Sequence, residues 1–356
     1  MSNKIYFTPG PTQLFYTFEE HFKRALALDI ISISHRSSTF IKIVEETTEA
    51  LKELLELPAG YDIYYLNSAN EVWDRIIQNL VDESSHHFAN GAFSKKFYDF
   101  ALAHHKSSSV TEVEDGAIFS DWNIPEKAEL IGITKNETSI GFTTTEKELA
   151  NFREENPDKL IALDIVSAAP SLPIDFSKID TAYFSVQKAF GLPPGLGVWI
   201  VNEKCHEVAQ KRATKTSLGS YRSLPNLKKF GDKHQTPETP NMLAIYLLGK
   251  IANDMIQVGL KKLRNDTIYK ATILNQAIES HESLNHFVAS KEHRSKTTIV
   301  ADAKDPSKIL SFFEKKGIIL GSGYGIHKKN HIRIANFPTH SKESVEMLCD
   351  LLKDIE

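Results

Sequence analysis

From about residue 40 onward, helical patterns alternate with short, nearly continuous apolar runs, and nothing else in the 356 residues constrains the fold as tightly. FIKIVEETTEALKELLEL is followed by DIYYLN, then EVWDRIIQNLVD, then HHFAN. The alternation continues through FSKKFYDFALAHH, ELIGITK, TEKELANFREE, KLIALDIV and TAYFSV, and closes with GVWIVN after a turn rich in glycine and proline. Such alternation predicts βαβ units. ELIGI and LIALDIV do not alternate polar with apolar residues, as strands of a parallel sheet buried on both faces need not. The fold class is therefore α/β with one mostly parallel sheet.

Beyond residue 203 the pattern breaks: SLGSYRSLPNLKKFGDKHQTPETPN offers turn and loop chemistry and no strand. A long helical pattern runs from 241 to about 280. TTIVADA, DPSKILSFFEKKG, IILGSG, HIRIANF and SKESVEMLCDLLKDI then read as β-α-β-β-α, a compact second unit. We expect an arm at 1–14, a large domain at 15–250 and a small domain at 251–356.

With 41% hydrophobic and 25% charged residues, the composition excludes disordered, collagenous and coiled-coil classes. A net charge of −4 gives no basic field for nucleic acid, so small molecules are the expected partners. Cys205 and Cys349 lie far apart in helical patterns, with neither the spacing of a metal site nor that of a disulfide framework. A reducing cytoplasm and no metal are expected. The opening MSNKIYFTPGPTQLF has no leader pattern and no run of about 18 apolar residues occurs, so no membrane association is expected.

The segment DTAYFSVQKAFGLPPGLG, residues 180–197, places a single lysine, Lys188, between an apolar strand and a glycine and proline cluster. Burial there lowers the pKa of an amine and makes it a better nucleophile towards an aldehyde. Taken alone, such a lysine is ordinarily a solvated strand end. Asp164 closes the buried strand KLIALDIV, where a carboxylate needs a charged partner or a turn to cap. The pyridinium nitrogen of pyridoxal phosphate is one such partner.

Asp164-x-x-Ser167, followed from Ser185 by S-x-Q-K-x-x-G-x-P-x-G-x-G, resembles the class V aminotransferases, phosphoserine aminotransferases in particular. FTPGPT (7–12) resembles that family's opening loop and SHRS (34–37) its His-Arg substrate element. NETSIG (136–141) resembles its Asn-Glu-Thr-Ser loop, and TPETP (236–240) its Asn-Thr-Pro-Pro loop. The resemblance implies a fold-type I transferase with a seven-stranded, mostly parallel sheet and a smaller α+β C-terminal domain.

It also implies roles. Lys188 holds pyridoxal phosphate as an imine and moves the substrate's Cα proton, while Asp164 pairs with the ring nitrogen. Thr138 reaches the ring oxygen and Phe93 stacks on the ring. Ser68, Ala69, Asn70 and Gln187 hold the phosphate, joined by Thr239 from a neighbouring subunit. Arg333 takes the α-carboxylate, and His35 with Arg36 faces the distal phosphate of the substrate. Asn67, Asn70, Glu71 and Glu238 depart from the family pattern. Glu71 would set a negative charge beside a phosphate unless it points away or caps its own helix.

The implied reaction is ping-pong transfer from phosphoserine, with glutamate and 2-oxoglutarate as the second couple, in a homodimer whose active sites lie at the subunit interface. An alanine- or serine-glyoxylate aminotransferase is the alternative on the same fold, and a cofactor-binding homologue without catalysis is a third reading. A desulfurase is set aside because both cysteines sit in helical patterns and Phe93 stands where a stacked histidine is needed.

Overall fold

A computed structural model describes residues 4–355; the first three residues of the expected arm lie outside them. The larger sheet has seven strands in the order Tyr61–Leu66, Gly197–Asn202, Thr181–Ser185, Leu160–Asp164, Leu130–Thr134, Ser85–Ala89, Ser109–Glu112. Only Gly197–Asn202 runs antiparallel to its neighbours. Successive residues within the central strands feed opposite cores, as the unalternating apolar runs require. Ile161, Leu163 and Phe184 pack beneath the helices Ser38–Leu54 and Met242–Val258. Leu160, Ala162 and Tyr183 face the side bearing Ala69–Leu80, Ala92–Ala103 and Glu203–Ala213.

Five parallel strands end at one edge of this sheet, and each feeds a candidate residue into the same space. Leu66 leads to Ser68, Ala89 to Phe93, Thr134 to Thr138, and Ser185 to Lys188, while Asp164 is itself a strand end. Ligands of open α/β sheets bind at the carboxyl ends of the strands for this reason.

A second sheet of five strands runs Ile5–Phe7, Ile318–Ser322, His331–Ala335, Thr298–Ala303, Leu284–His286. Leu260–Glu279, Pro306–Lys315 and Lys342–Leu352 supply helices to its core, which gathers Phe7, Leu274, Phe313, Ile334 and Leu348. The N-terminal strand is thus an edge of the sheet built by the C-terminal third, and Ile5 pairs with Ile318.

The sequence reading left out the strands Ile5–Phe7 and Leu284–His286 and the helix Phe18–Ala27, and further features differ from it. The segment read as loop contains a helix, Leu224–Gly231, whose Leu224 and Leu227 are buried and whose Pro225 sits in the first turn, where a missing N–H costs nothing. The pattern at 241–280 is two helices bent by 83° at Gly259, whose φ of +91° favours glycine. Ser109–Glu112, an edge strand, has no apolar run to mark it because its residues are half exposed. No single helix among the described residues is long and apolar enough to cross a membrane.

Candidate active site

Lys188 is buried, and its ammonium donates to the carbonyl of Pro9 at 2.6 Å. Gly10, at φ +117°, lies so close that a Cβ there would approach Lys188 Cε to 2.7 Å. The FTPGPT turn therefore seals the lysine against solvent, and only glycine fits where it does so. Burial, with the Arg333 guanidinium in support, pushes the lysine down to about 7, against the pull of Asp164 and Glu137.

Asp164 is buried and moves the opposite way, up to about 7. Burial dominates and Glu137 adds to it. The N–H of Val166 donates to the carboxylate at 2.9 Å, and with Lys188 and the Tyr183 hydroxyl nearby it offsets the burial only in part. A buried carboxylate short of donors is a site for a cation.

Phe93, in the first turn of Ala92–Ala103, has its ring centroid 5.6 Å from Lys188 Nζ. That helix start is held by the buried Glu137, which accepts from the N–H groups of Phe93 and Ser94 (3.1 and 2.8 Å) and from the Ser139 hydroxyl. Across the floor, Ser167 Oγ accepts from Asn136 Nδ2 and from Thr138 Oγ1, both at 2.8 Å. Ser167 thus ties the Asp164-x-x-Ser167 turn to the NETSIG loop. Arg333 donates to the carbonyls of Ser322 (2.8 Å) and Thr138 (3.3 Å) and forms no ion pair among the described residues.

Ser68 caps Ala69–Leu80, its hydroxyl accepting from Glu71 N–H. The Ala69 N–H donates to Ser185 Oγ at 2.8 Å, so it is committed within the protein. The N–H groups of Ser68 and Asn70 have no protein acceptor among the described residues. Free N–H groups at a helix start suit an anion. Gly197 lies against this turn: a Cβ would meet the Ser68 backbone at 2.4 Å. Beside Lys188, Gln187 Oε1 is buried without a partner.

The negative charge of Glu71 has a specific answer. Glu71 accepts from the N–H of Asn67 at 2.9 Å and pairs with the buried Arg222, which also pairs with Glu238. The two acidic departures from the family pattern are therefore the two ligands of one arginine. Replacing Arg222 with methionine should cost on the order of 3 kcal/mol, the low end for breaking a buried ion pair, because two carboxylates would face each other uncompensated. Denaturant melts should show Glu71→Gln with Glu238→Gln recovering much of that loss in the Arg222→Met background; a loss unchanged by the pair would remove the charge argument.

His35 and Arg36 form a second cluster. Arg36 donates to Gln235 Oε1 (2.9 Å) and to the carbonyls of Thr236 (2.7 Å) and Pro237 (3.2 Å), and stacks on Phe230. His35 Nδ1 lies 3.2 Å from Thr239 Oγ1. No hydrogen bond joins this cluster to Lys188, Asp164 or Arg333 among the described residues of the chain. Residue-by-residue reading also missed Arg222, Glu137 as a helix cap, and Lys96 with Tyr324 beside Phe93. Both cysteines are buried in helices with thiols pushed up by burial, so neither is poised as a nucleophile.

The class-V aminotransferase family model matches residues 8–337, nearly the whole chain and all of the motifs above but Phe7. The chain belongs to the class-V aminotransferases. A solved phosphoserine aminotransferase from Cytophaga hutchinsonii is 43% identical, with a TM-score of 0.97 over 99% of both chains. A phosphoserine aminotransferase of Rhodococcus jostii is 28% identical over 330 residues, 90% of this chain and 86% of that one. An alanine–glyoxylate aminotransferase from Nostoc, 19% identical with a TM-score of 0.83 over 99% of this chain and 95% of that one, shares the fold.

Pyridoxal phosphate, the cofactor of class-V aminotransferases, fits what this site leaves open. A donor-poor carboxylate suits its ring nitrogen, a buried amine with its pKa lowered to about 7 its aldehyde, and the free N–H groups of Ser68 and Asn70 its phosphate.

Proposed function

We propose that this class-V aminotransferase transfers the amino group of phosphoserine to 2-oxoglutarate, with pyridoxal phosphate held by Lys188, Asp164, Phe93, Thr138, Ser68, Ala69, Asn70 and Gln187. The observation that carries the reading is the pair of opposed buried groups, Lys188 and Asp164, beside an Arg333 that no carboxylate neutralises among the described residues. The high similarity to the Cytophaga phosphoserine aminotransferase supports the choice of donor.

When bound, the cofactor supplies an aldehyde for condensation with amines and a ring that draws electrons from the substrate's Cα. The chain's own residues do the rest. Arg333 orients the donor by its α-carboxylate through paired hydrogen bonds. The buried Lys188 amine, held down to about 7 in the cofactor-free chain, would be the base that takes the Cα proton and the acid that gives it back. Asp164 keeps a positive charge opposite its carboxylate, and the arm at Pro9 and Gly10 excludes water.

The family resemblance of the 236–240 loop, with His35 and Arg36 bonded to that loop rather than to Lys188, supports a homodimer in which each chain delivers that cluster to its neighbour's site. Division into an arm (1–14), a large domain (15–250) and a small domain (251–356) belongs to the same reading. Two free, buried thiols fit a reducing, cytoplasmic setting.

A single-turnover titration with phosphoserine, glutamate, serine and alanine, followed by cofactor absorbance, tests the assignment. Fast conversion by phosphoserine and glutamate alone is the expected result; conversion by alanine or serine alone would refute it. Arg36→Ala should slow phosphoserine conversion about tenfold more than alanine conversion, the worth of one charge-assisted pair. Equal slowing would remove Arg36 from the distal phosphate.

A further inference from the structure

Tyr183 stands in the middle of the larger sheet, paired in register with Asp164 on one side and with Trp199 on the other. Residues opposite one another on adjacent strands share a face, so the phenol and the Asp164 carboxyl emerge together, on the side of Ala162 and Leu160. The phenol ring is clamped by Trp73 and Phe97, whose ring centroids lie 6.3 and 5.9 Å away at 85° and 79°. All three rings are buried.

The polar atoms of this layer are short of partners. The Tyr183 hydroxyl and the Trp73 indole N–H are both buried, and neither makes a hydrogen bond of full geometry among the described residues. Asp164 has one, from Val166 N–H to Oδ1. Other neighbours are spent. Trp199 donates its indole N–H to Thr181 Oγ1 at 2.7 Å, and Glu137 is committed to the start of the Phe93 helix. His87, against the far side of Phe97, is held down to about 3 by burial and is neutral, with its Nε2 2.8 Å from Ser85 Oγ. Lys188 and Glu137 are the charged groups that act on Asp164.

Donor and acceptor chemistry fixes the direction in which these atoms can join. An indole N–H only donates and an ionised carboxylate only accepts, so the phenol accepts from Trp73 and donates to Asp164. The hydroxyl lies close enough to both to feel them. Burial and the Asp164 charge keep it a phenol, well above its ordinary range, while Trp73 pulls the other way. Such a donor gains little from a protonated carboxyl and much from a charged one, because hydrogen bonds to ions are the strong ones. An idle buried hydroxyl lowers stability, so its use lies in the state where Asp164 is ionised.

We propose that Tyr183, oriented by Trp73, is a positioning residue: its hydroxyl donates to the Asp164 carboxylate and holds it charged opposite the ring nitrogen of pyridoxal phosphate. The proposal rests on the placement of Asp164 at that nitrogen and deepens it. A neutral donor stabilises the carboxylate without competing for it, which leaves the ring cation as its counter-ion, whereas an arginine or lysine in place of Tyr183 would neutralise Asp164 within the protein.

Tyr183→Phe keeps the packed ring and removes only the hydroxyl. In cofactor-free protein the Asp164 carboxyl, followed by carbon-13 NMR, should titrate about one pH unit higher in the variant, the worth of one hydrogen bond to a charged group. The melting temperature at pH 5, where Asp164 carries its proton, should not fall, because no bond of full geometry is lost. Two cofactors then separate a role at the ring nitrogen from packing: pyridoxal phosphate, and its analogue with carbon in place of that nitrogen, which carries no ring cation. Tyr183→Phe should bind pyridoxal phosphate about tenfold more weakly than wild type and the analogue within about twofold. The loaded variant should lose about tenfold in kcat with KM for the amino donor nearly unchanged, as removal of a charge-stabilising donor predicts. Equal weakening for both cofactors would mean that the hydroxyl only shapes the pocket, and an unmoved Asp164 titration with unchanged pyridoxal phosphate affinity would remove its role altogether. A wild type that binds both cofactors equally would instead overturn the pairing of Asp164 with the ring nitrogen, while the carboxyl titration, which needs no cofactor, would still decide whether Tyr183 acts on Asp164.

Discussion

Replacing Lys188 with alanine should lower steady-state transamination by about 10⁴-fold, the upper end of what a positioned acid–base residue contributes, because the same side chain also holds the cofactor. The protein should still fold. Lys188 lies on the turn after Thr181–Ser185 and contributes no strand pairing; its loss opens space beside Gly10, and Asp164, deprived of the nearby ammonium, keeps its proton the more readily. Pro9 loses a donor to its carbonyl, a modest cost that water entering the opened space can offset. Circular dichroism and a thermal melt would establish folding, and a coupled assay the activity. A folded variant with substantial turnover would sink the assignment of Lys188.

Asp164→Asn should reduce turnover about 10³-fold, comparable to removing one preorganised electrostatic partner from a buried site. It should also change how the cofactor-free protein responds to pH. The folded carboxyl keeps its proton up to about pH 7, whereas the unfolded one releases it near 3.8. Across that window the folded carboxyl binds the extra proton, so the contribution of Asp164 to the stability of the cofactor-free protein falls as pH rises from about 4 to 7. The amide of the Asp164→Asn variant does not titrate, so the variant's melting temperature relative to wild type should rise through that window and converge with it near pH 4. Parallel curves at all pH values would mean that Asp164 is not the strained group described above. Loading the cofactor places a positive charge opposite the carboxylate and should flatten the wild-type curve.

Lys188, Asp164 and Arg333 were legible in sequence because each interrupts or follows a buried apolar strand, where a charge is conspicuous. The strand ends then bring Lys188 and Asp164 together with Phe93, Thr138 and Ser68. Arg222 gave no such signal, since it lies in a stretch of serines, glycines and prolines without periodicity. Its trace is indirect: Glu71 and Glu238 are acids at positions that would repel a phosphate, and each requires a cation somewhere. Lys96 was hidden by Lys95, because a lysine pair on a helix reads as a solvated face until the helix phase is fixed by Phe93. The helix Leu224–Gly231 was obscured by its own start and stop residues, serine, proline and glycine, around only two buried leucines.

The lysine's seal comes from one end of the chain and is anchored by the other. Ile5–Phe7 pairs with Ile318–Leu320, Phe7 stacks on His340, and His340 Nε2 donates to the Tyr6 carbonyl at 2.9 Å. In synthesis Ile5–Phe7 precedes the strand it joins, Ile318–Ser322, by most of the residues described. Asp164 and Lys188 can take their places on the larger sheet while the pocket above them is still open. Closure by the arm is therefore a late event in the life of each new chain, which leaves an interval in which the cofactor can enter a site whose floor is complete and whose cover has yet to arrive.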